Sequence, residues 1–293
     1  MGSDRTTRVL TWVVRLLWLV LPFTSGPALA DALDGASTPV RTVASAGLWL
    51  AWATGVVAVL VPRPVGLTAL RVLAPGALVA SLAASGGGHT SVAGLVVGAA
   101  LTVLAVTPEV ASVFVNGAAY PNERRYPLRA PGPLLLGPVE LTWAVVVLGV
   151  CAGPLLLAAR QWLLGGAALV VGLPAAWLLV RSLHLLSRRW AVLVPAGLVL
   201  HDPMSLRDPV LFPRATIDVV HPAPAWTDSL DLTQRSLGLA LELLLREKVP
   251  MTLVRPGRRA GEEGASARLL FAPARPGAFL AAAAHRRIAS APC

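Results

Sequence analysis

The sequence predicts an α-helical membrane bundle of about six spans, followed by a small β-rich domain closed by one helix. Three observations carry this reading. The chain is 55% hydrophobic and 14% charged, whereas soluble domains carry about 25% charged residues. Before residue 186, apolar stretches long enough to cross a bilayer follow one another with short polar breaks. After about residue 187 the apolar runs shorten and turn residues become frequent, which is the pattern of strands and hairpins. The chain therefore divides into a polytopic transmembrane domain, 1–186, and a β-domain, 187–293.

A bilayer core about 30 Å thick needs roughly 20 apolar residues at about 1.5 Å each. The stretches at about 9–30, 42–61, 66–84, 90–107, 139–158 and 162–181 meet that length. The first also resembles a signal peptide: Arg5 and Arg8 precede it, and Ala28-Leu29-Ala30 stands before Asp31. Arg15 interrupts the apolar run and further spans follow, which favours an uncleaved first helix. Arg15 lies within two turns of the helix start, so it is expected to snorkel to the interface rather than serve as an intramembrane charge. Gly94 with Gly98, and Gly149 with Gly153, have the spacing that lets helix backbones approach. Packing within the bundle is the plainer reading, a dimer face the alternative. Pro75, Pro154 and Pro174 each remove a backbone donor inside an apolar run and are expected to kink it.

The net charge of +10 raises the question of nucleic acid. No nucleic-acid motif accompanies it, and the positive-inside rule explains it better. Arginine-rich loops alternate with arginine-poor ones: Arg5 and Arg8, then Arg41 alone beside Asp31 and Asp34, then Arg63 and Arg71. "SGGGH" at 85–89 follows, then the basic 116–131 loop, then Arg160 alone, then Arg181, Arg188 and Arg189. This alternation predicts a multi-pass protein of the plasma (inner) membrane with both termini cytoplasmic. The expected partners are the lipid bilayer, its anionic lipids in particular, and another membrane protein.

The loop "NGAAYPNERRYPLRAP", 116–131, holds the only two tyrosines of the chain. Tyr120 and Tyr126 each precede a proline, which biases them to extended backbone. Tyrosine favours the headgroup zone. Arg124, Arg125 and Arg129 can each gain about 1 kcal/mol from an anionic leaflet. The loop is expected to lie flat on the inner leaflet. In a sharper reading the arginines grip a phosphorylated headgroup, or dock acidic side chains of the tail domain, with Glu123 orienting one guanidinium. Pro131, Pro133 and Pro138 lead into the next helix, where Trp143 is expected to be an interfacial anchor.

In the tail, "WAVLV", "PAG" and "LVLHD" read as a hairpin, and "ATIDVV" at 215–220 as a strand. "LALELLL" at 239–245 places Leu239, Leu241, Leu243 and Leu245 on one face of a strand, although Glu242 and Arg246 at four residues apart would also suit a helix. "REK" then reads as a turn, "VPMTLV" as the second arm, "GRRAGEEGAS" at 257–266 as a flexible loop, and "RLLFAP" as a strand. "GAFLAAAAHRRI" is an amphipathic helix with Phe279, Leu280, Ala283 and Ile288 on one face. This order of about seven strands and a helix resembles the bacterial pleckstrin-homology-like (PH-like) domains. The resemblance rests on "RWAVLVPAGLVLHD", "LFPRATIDVV" and "FAPARPGAFLAAAAHRR". The whole chain resembles polytopic membrane proteins of actinobacteria through "FVNGAAYPNERRYPLRAPGPLLLGPVELTW" and the tail. The resemblance implies a small β-barrel or sandwich of PH-like type on a membrane bundle, and no reaction.

No phosphate-binding loop, metalloprotease, nucleophile-elbow or EF-hand pattern is present. His201 and Asp202, with Asp208 and His221, could meet as metal ligands, but turn residues are the plainer reading. His89 reads as a loop residue. Glu109 and Glu140 flank the basic loop near the interface, so no carboxylate pair sits mid-membrane as coupled transport would need. Cys151 and Cys293 have no paired spacing that suggests a disulfide or zinc site. No cofactor is expected. The function that follows is a non-enzymatic scaffold or lipid-sensing adaptor at the cytoplasmic face. The alternatives are a transporter or channel component, or an enzyme acting on lipid headgroups.

Overall fold

The computed structural model describes residues 2–255 and 258–291; Cys293 and the first residue of the 257–266 loop lie outside them. The chain forms two units: residues 1–117 with 140–184, and residues 118–139 with 185–293. The division expected at 186/187 is therefore crossed by an excursion, because 118–139 leaves the helical unit to join the tail.

The helical unit contains α1 (Gly2–Thr24), α2 (Gly26–Leu33), α3 (Thr38–Leu60), α4 (Pro64–Gly86), α5 (Val92–Val106), α6 (Pro108–Asn116), α7 (Pro138–Ala158) and α8 (Trp162–Ser187). Five helices are long and apolar enough to cross a membrane, counting Arg5–Leu33 as one; a bent α5–α6 pair would make a sixth. The expected fourth span is the one that differs. Helix α5 has 15 residues, about 22 Å at 1.5 Å per residue, and α6 turns from it by 64°. The break follows from Thr107-Pro108. Proline disfavours the helical region for the residue before it, and Thr107 is extended at φ −67°, ψ 143°.

Side chains, as much as apolar bulk, join these helices. Trp18 of α1 donates to the Trp52 carbonyl at 2.9 Å, and Trp52 of α3 donates to the Trp18 carbonyl at 3.0 Å. Gly55 permits this reciprocal clasp, since a Cβ there would fall 1.9 Å from the Trp18 ring. Arg15 Nε donates to the Val59 carbonyl at 3.0 Å and Arg71 Nε to the Ala105 carbonyl at 3.2 Å. Both carbonyls lie in the last turns of α3 and α5, where helical acceptors lack donors and the dipole favours a cation. Both glycine pairs pack inside the chain. Gly94 lies against Ser25 and Gly98 against Leu78, while Gly149 meets Gly172 and Gly153 meets Leu169. Trp143 Nε1 donates to the Val72 carbonyl at 2.9 Å, in the turn of α4 where Pro75 lacks a donor, so its indole serves helix packing.

The second unit has two four-stranded sheets. One is ordered β1-β2-β3-β4, from β1 (Arg124–Pro127), β2 (Trp190–Val194), β3 (Gly197–His201) and β4 (Val210–Pro213). The other is ordered β5-β7-β8-β6, from β5 (Ile217–Pro222), β6 (Leu230–Asp231), β7 (Leu241–Arg255) and β8 (Arg258–Phe271). Leu193, Leu198, Leu243 and Leu269 from the two sheets share one core with Phe279, Leu280, Ala283 and Ile288. These last four are the face expected of α9 (Pro276–His285) and the turn after it.

Two expectations change in this domain. "REK" is not a turn: β7 runs on through it, with a register shift between Leu244 and Val249. The 257–266 stretch is not a flexible loop where described. It forms the arm of β8 that pairs Met251 with Gly264 and Leu253 with Glu262. Gly261 has φ +77°, a conformation that glycine adopts without steric cost.

Candidate functional site

The 118–139 excursion supplies an edge strand of the second unit. Arg124, Arg125, Tyr126 and Pro127 pair antiparallel with Leu193, Val192, Ala191 and Trp190. Strand alternation then sends Tyr126 inward. Its ring is buried in the core, edge-on to Phe279 at 5.2 Å. Tyr126 is thus a core residue of the domain, not a headgroup-zone side chain. Beyond β1 the backbone is stitched on both sides: Leu128 N donates to the Arg189 carbonyl at 3.0 Å, Arg129 N to Ala272 at 2.9 Å, and Ala274 N to Pro127 at 2.8 Å.

The basic side chains of the loop take different roles. Arg129 Nη1 donates to the carbonyls of Leu237 and Leu239 at 3.1 and 3.2 Å, so it holds the 235–239 loop. Gly238 makes room for it, as its φ is +92° and a Cβ would meet Arg129 Nη1 at 2.2 Å. Arg125 pairs with Glu123 at 3.1 Å and lies over the Trp190 ring at 5.3 Å. Arg124 is exposed, 5.9 Å from the Tyr126 centroid. Tyr120 is 73% exposed. Of the five expected site residues, Tyr120 and Arg124 face solvent, and Arg125, Tyr126 and Arg129 are built into the domain.

The lock between excursion and tail is a buried ion pair that sequence reading divided between two other roles. Arg189 Nε and Nη2 each donate to Asp202 at 2.7 Å, and Nη1 donates to the Arg129 carbonyl at 2.8 Å. Asp202 also accepts from Met204 N and Ser205 Oγ. Bidentate geometry with further donors is what a buried pair needs to offset desolvation. Arg189 reads as a topology charge and Asp202 as a turn residue. The hairpin register places them one step beyond the Trp190–His201 pair. Asp202 is thus committed to Arg189, and His201 instead stacks on Trp190 at 4.8 Å. Burial, with Arg188 nearby, pushes the His201 imidazole below its ordinary value. No group of three His, Cys, Asp or Glu is placed to hold a metal among the described residues.

A second buried carboxylate stands on β7. Glu242 is 1% exposed. It accepts from Thr227 Oγ1 at 2.8 Å and from Ser229 Oγ, and faces His221 Nε2 at 3.3 Å. His221 Nδ1 donates to the Pro222 carbonyl at 2.8 Å. Burial pushes Glu242 up, but the two hydroxyl donors, Arg268 and His221 outweigh it, and the carboxyl sits below the usual range. A depressed folded value contributes stability that is full above the unfolded value of about 4.3 and is lost as pH falls through the folded value. Acid titration of the unfolding midpoint should therefore show a falling limb below about pH 4 that Glu242→Gln flattens. An unchanged limb in the variant would deny Glu242 that part.

Each unit has a groove among the described residues. One, about 460 Å³, lies between the 223–231 and 238–240 segments of the second unit and has Trp226, Thr227, Ser229, Asp231 and Leu239 in its lining. The other, about 530 Å³, belongs to the helical unit and is lined in part by Thr24, Asp31, His89 and Ser91. No protein-family profile, curated protein or solved structure is significantly similar to this chain.

Proposed function

We propose that this chain is a non-enzymatic, multi-pass protein of the plasma (inner) membrane, with both termini cytoplasmic, whose β-domain acts as a lipid-sensing adaptor for a membrane partner. The domain is taken to be of PH-like type, as its strand order and closing helix resemble. The observation that carries the reading is the path of the chain. It passes between the two units at 117/118, 139/140 and 184/185, and the middle excursion supplies an edge strand of the β-domain. A domain hung on one flexible linker would be indifferent to the helices. Here β1 is tied to the helices at both ends, Gly117 preceding Arg124 by seven residues and Pro138 following Pro127 by eleven.

Charge supports a lipid role. The second unit holds 17 Arg or Lys against 10 Asp or Glu, which is seven of the net ten positive charges. An anionic leaflet attracts such a surface within a Debye length. Hydrogen exchange of the full chain in nanodiscs tests the reading. Amides of 120–128 should exchange more slowly in anionic than in neutral lipid, and Arg124→Gln should narrow the difference. High salt should narrow it too, since the Debye length falls to about 3 Å at 1 M. Equal exchange in both lipids would refute lipid sensing.

A further inference from the structure

We infer that Trp226, Leu237 and Leu239 form an apolar prong by which the β-domain inserts into the lipid interface. This inference rests on the reading that the domain lies at a leaflet. Trp226 is 92% exposed, Leu237 69% and Leu239 40%. A single exposed apolar residue is ordinary; three on two adjoining loops form a patch. The loops are tied at their base, where Ala223 N donates to the Ala240 carbonyl at 2.9 Å. Trp226 and Leu239 line the same groove. Pro222 and Pro224 fix φ on the approach to Trp226, and Arg129 clamps the Leu237 and Leu239 carbonyls. The prong is therefore held out by structure, with little conformational freedom left to lose on insertion.

Chain continuity names the occupant. Gly132 N donates to the Arg235 carbonyl at 3.2 Å, and a Cβ on Gly132 would lie 3.5 Å from Leu237 Cγ. Pro138, where the apolar helix α7 begins, is only six residues on from Gly132. Those six can span at most about 20 Å. Leu135 and Leu136, on that short path, are 46% and 83% exposed. The prong thus lies within reach of the point where the chain meets hydrocarbon. Tryptophan favours that zone, its ring apolar and its N–H wet. The prong carries Asp228 and Asp231 against Arg235 and the clamping Arg129, which balance, so its attraction is apolar and not electrostatic.

The test places an environment-sensitive fluorophore on Trp226→Cys in a Cys151→Ser, Cys293→Ser background, in proteoliposomes of zwitterionic lipid. The emission should shift to the blue, and lipids carrying a nitroxide near the glycerol level should quench it several-fold more than the same label on Arg214→Cys. Quenching should persist in 1 M salt and be lost when Leu237 and Leu239 become serine. A water-like emission at 226 overturns the prong, whether or not the double variant folds. Quenching by a nitroxide on a second copy that fades as protein is diluted in lipid also overturns it, in favour of self-association. If 226 stays wet while the anionic-lipid effect on 120–128 persists, the prong fails alone. If neither responds to lipid, the lipid-sensing reading fails with it.

Discussion

A fragment of residues 187–293 should fail to fold as a cooperative domain, although its composition suggests an independent unit. The cut removes β1, leaving β2 as a bare edge that invites aggregation. It takes Tyr126 and Leu128 from the core and the Arg129 carbonyl from Arg189. A buried aromatic covers about 150–250 Å². At about 25 cal/mol per Å² the loss of Tyr126 alone costs on the order of 5 kcal/mol, comparable to the whole stability of many domains. Joining 118–139 to 185–293 through a Gly/Ser linker of about 15 residues should restore the near-UV circular dichroism and a sharp unfolding transition. Cooperative unfolding of 187–293 alone would show that β1 is dispensable.

The second large effect is expected at the buried pair. Asp202→Ala leaves the Arg189 guanidinium, 1% exposed, without its counter-charge, and should destabilise the β-domain by about 3–5 kcal/mol. Arg189→Met together with Asp202→Leu should recover most of that loss, because replacing both partners by apolar groups avoids the uncompensated charge. Denaturant midpoints for the two variants provide the comparison. If the double variant is as unstable as Asp202→Ala, the pair acts through its bonds to Arg129, Met204 and Ser205 more than through charge.

Much of the fold is legible in the sequence where one signal dominates a long window. Hydropathy marks the helices, and a period of 3.6 marks the buried face of α9. The tight hairpin at Pro195-Ala196 is readable from its turn chemistry. It could also have disclosed the ion pair, since each step out along β2 matches a step back along β3 and sets Arg189 opposite Asp202. β1 was hidden for a physical reason. It is four residues long, flanked by prolines and set between two apolar helices, so no periodicity can develop. Tyr126 and Arg129 look like interfacial residues because the same side chains suit a headgroup zone and a domain core with polar edges. The β7–β8 arms look like a turn and a loop because Lys248, Gly261 and Gly264 resemble turn residues, whereas the pairing of each arm with the other holds them extended. Glu242 carried no signal either. It alternates with Leu241 and Leu243 and so belongs to the outer face, where the 227–229 segment buries it from a distance in sequence.

The central claim is that a segment lying between two apolar helices, α6 and α7, is a strand of the β-domain. The most direct measurement is a cross-link across β1 and β2 in native membranes. Cysteines replace Arg125 and Val192, which are register partners, in the background free of Cys151 and Cys293. Directly opposed residues have Cβ atoms about 4.5–5.5 Å apart, within reach of a short bis-thiol reagent. The account predicts efficient intramolecular linkage for this pair and none for Arg125 with Arg246. Failure to link Arg125 with Val192, while a monofunctional reagent labels each cysteine, would contradict it.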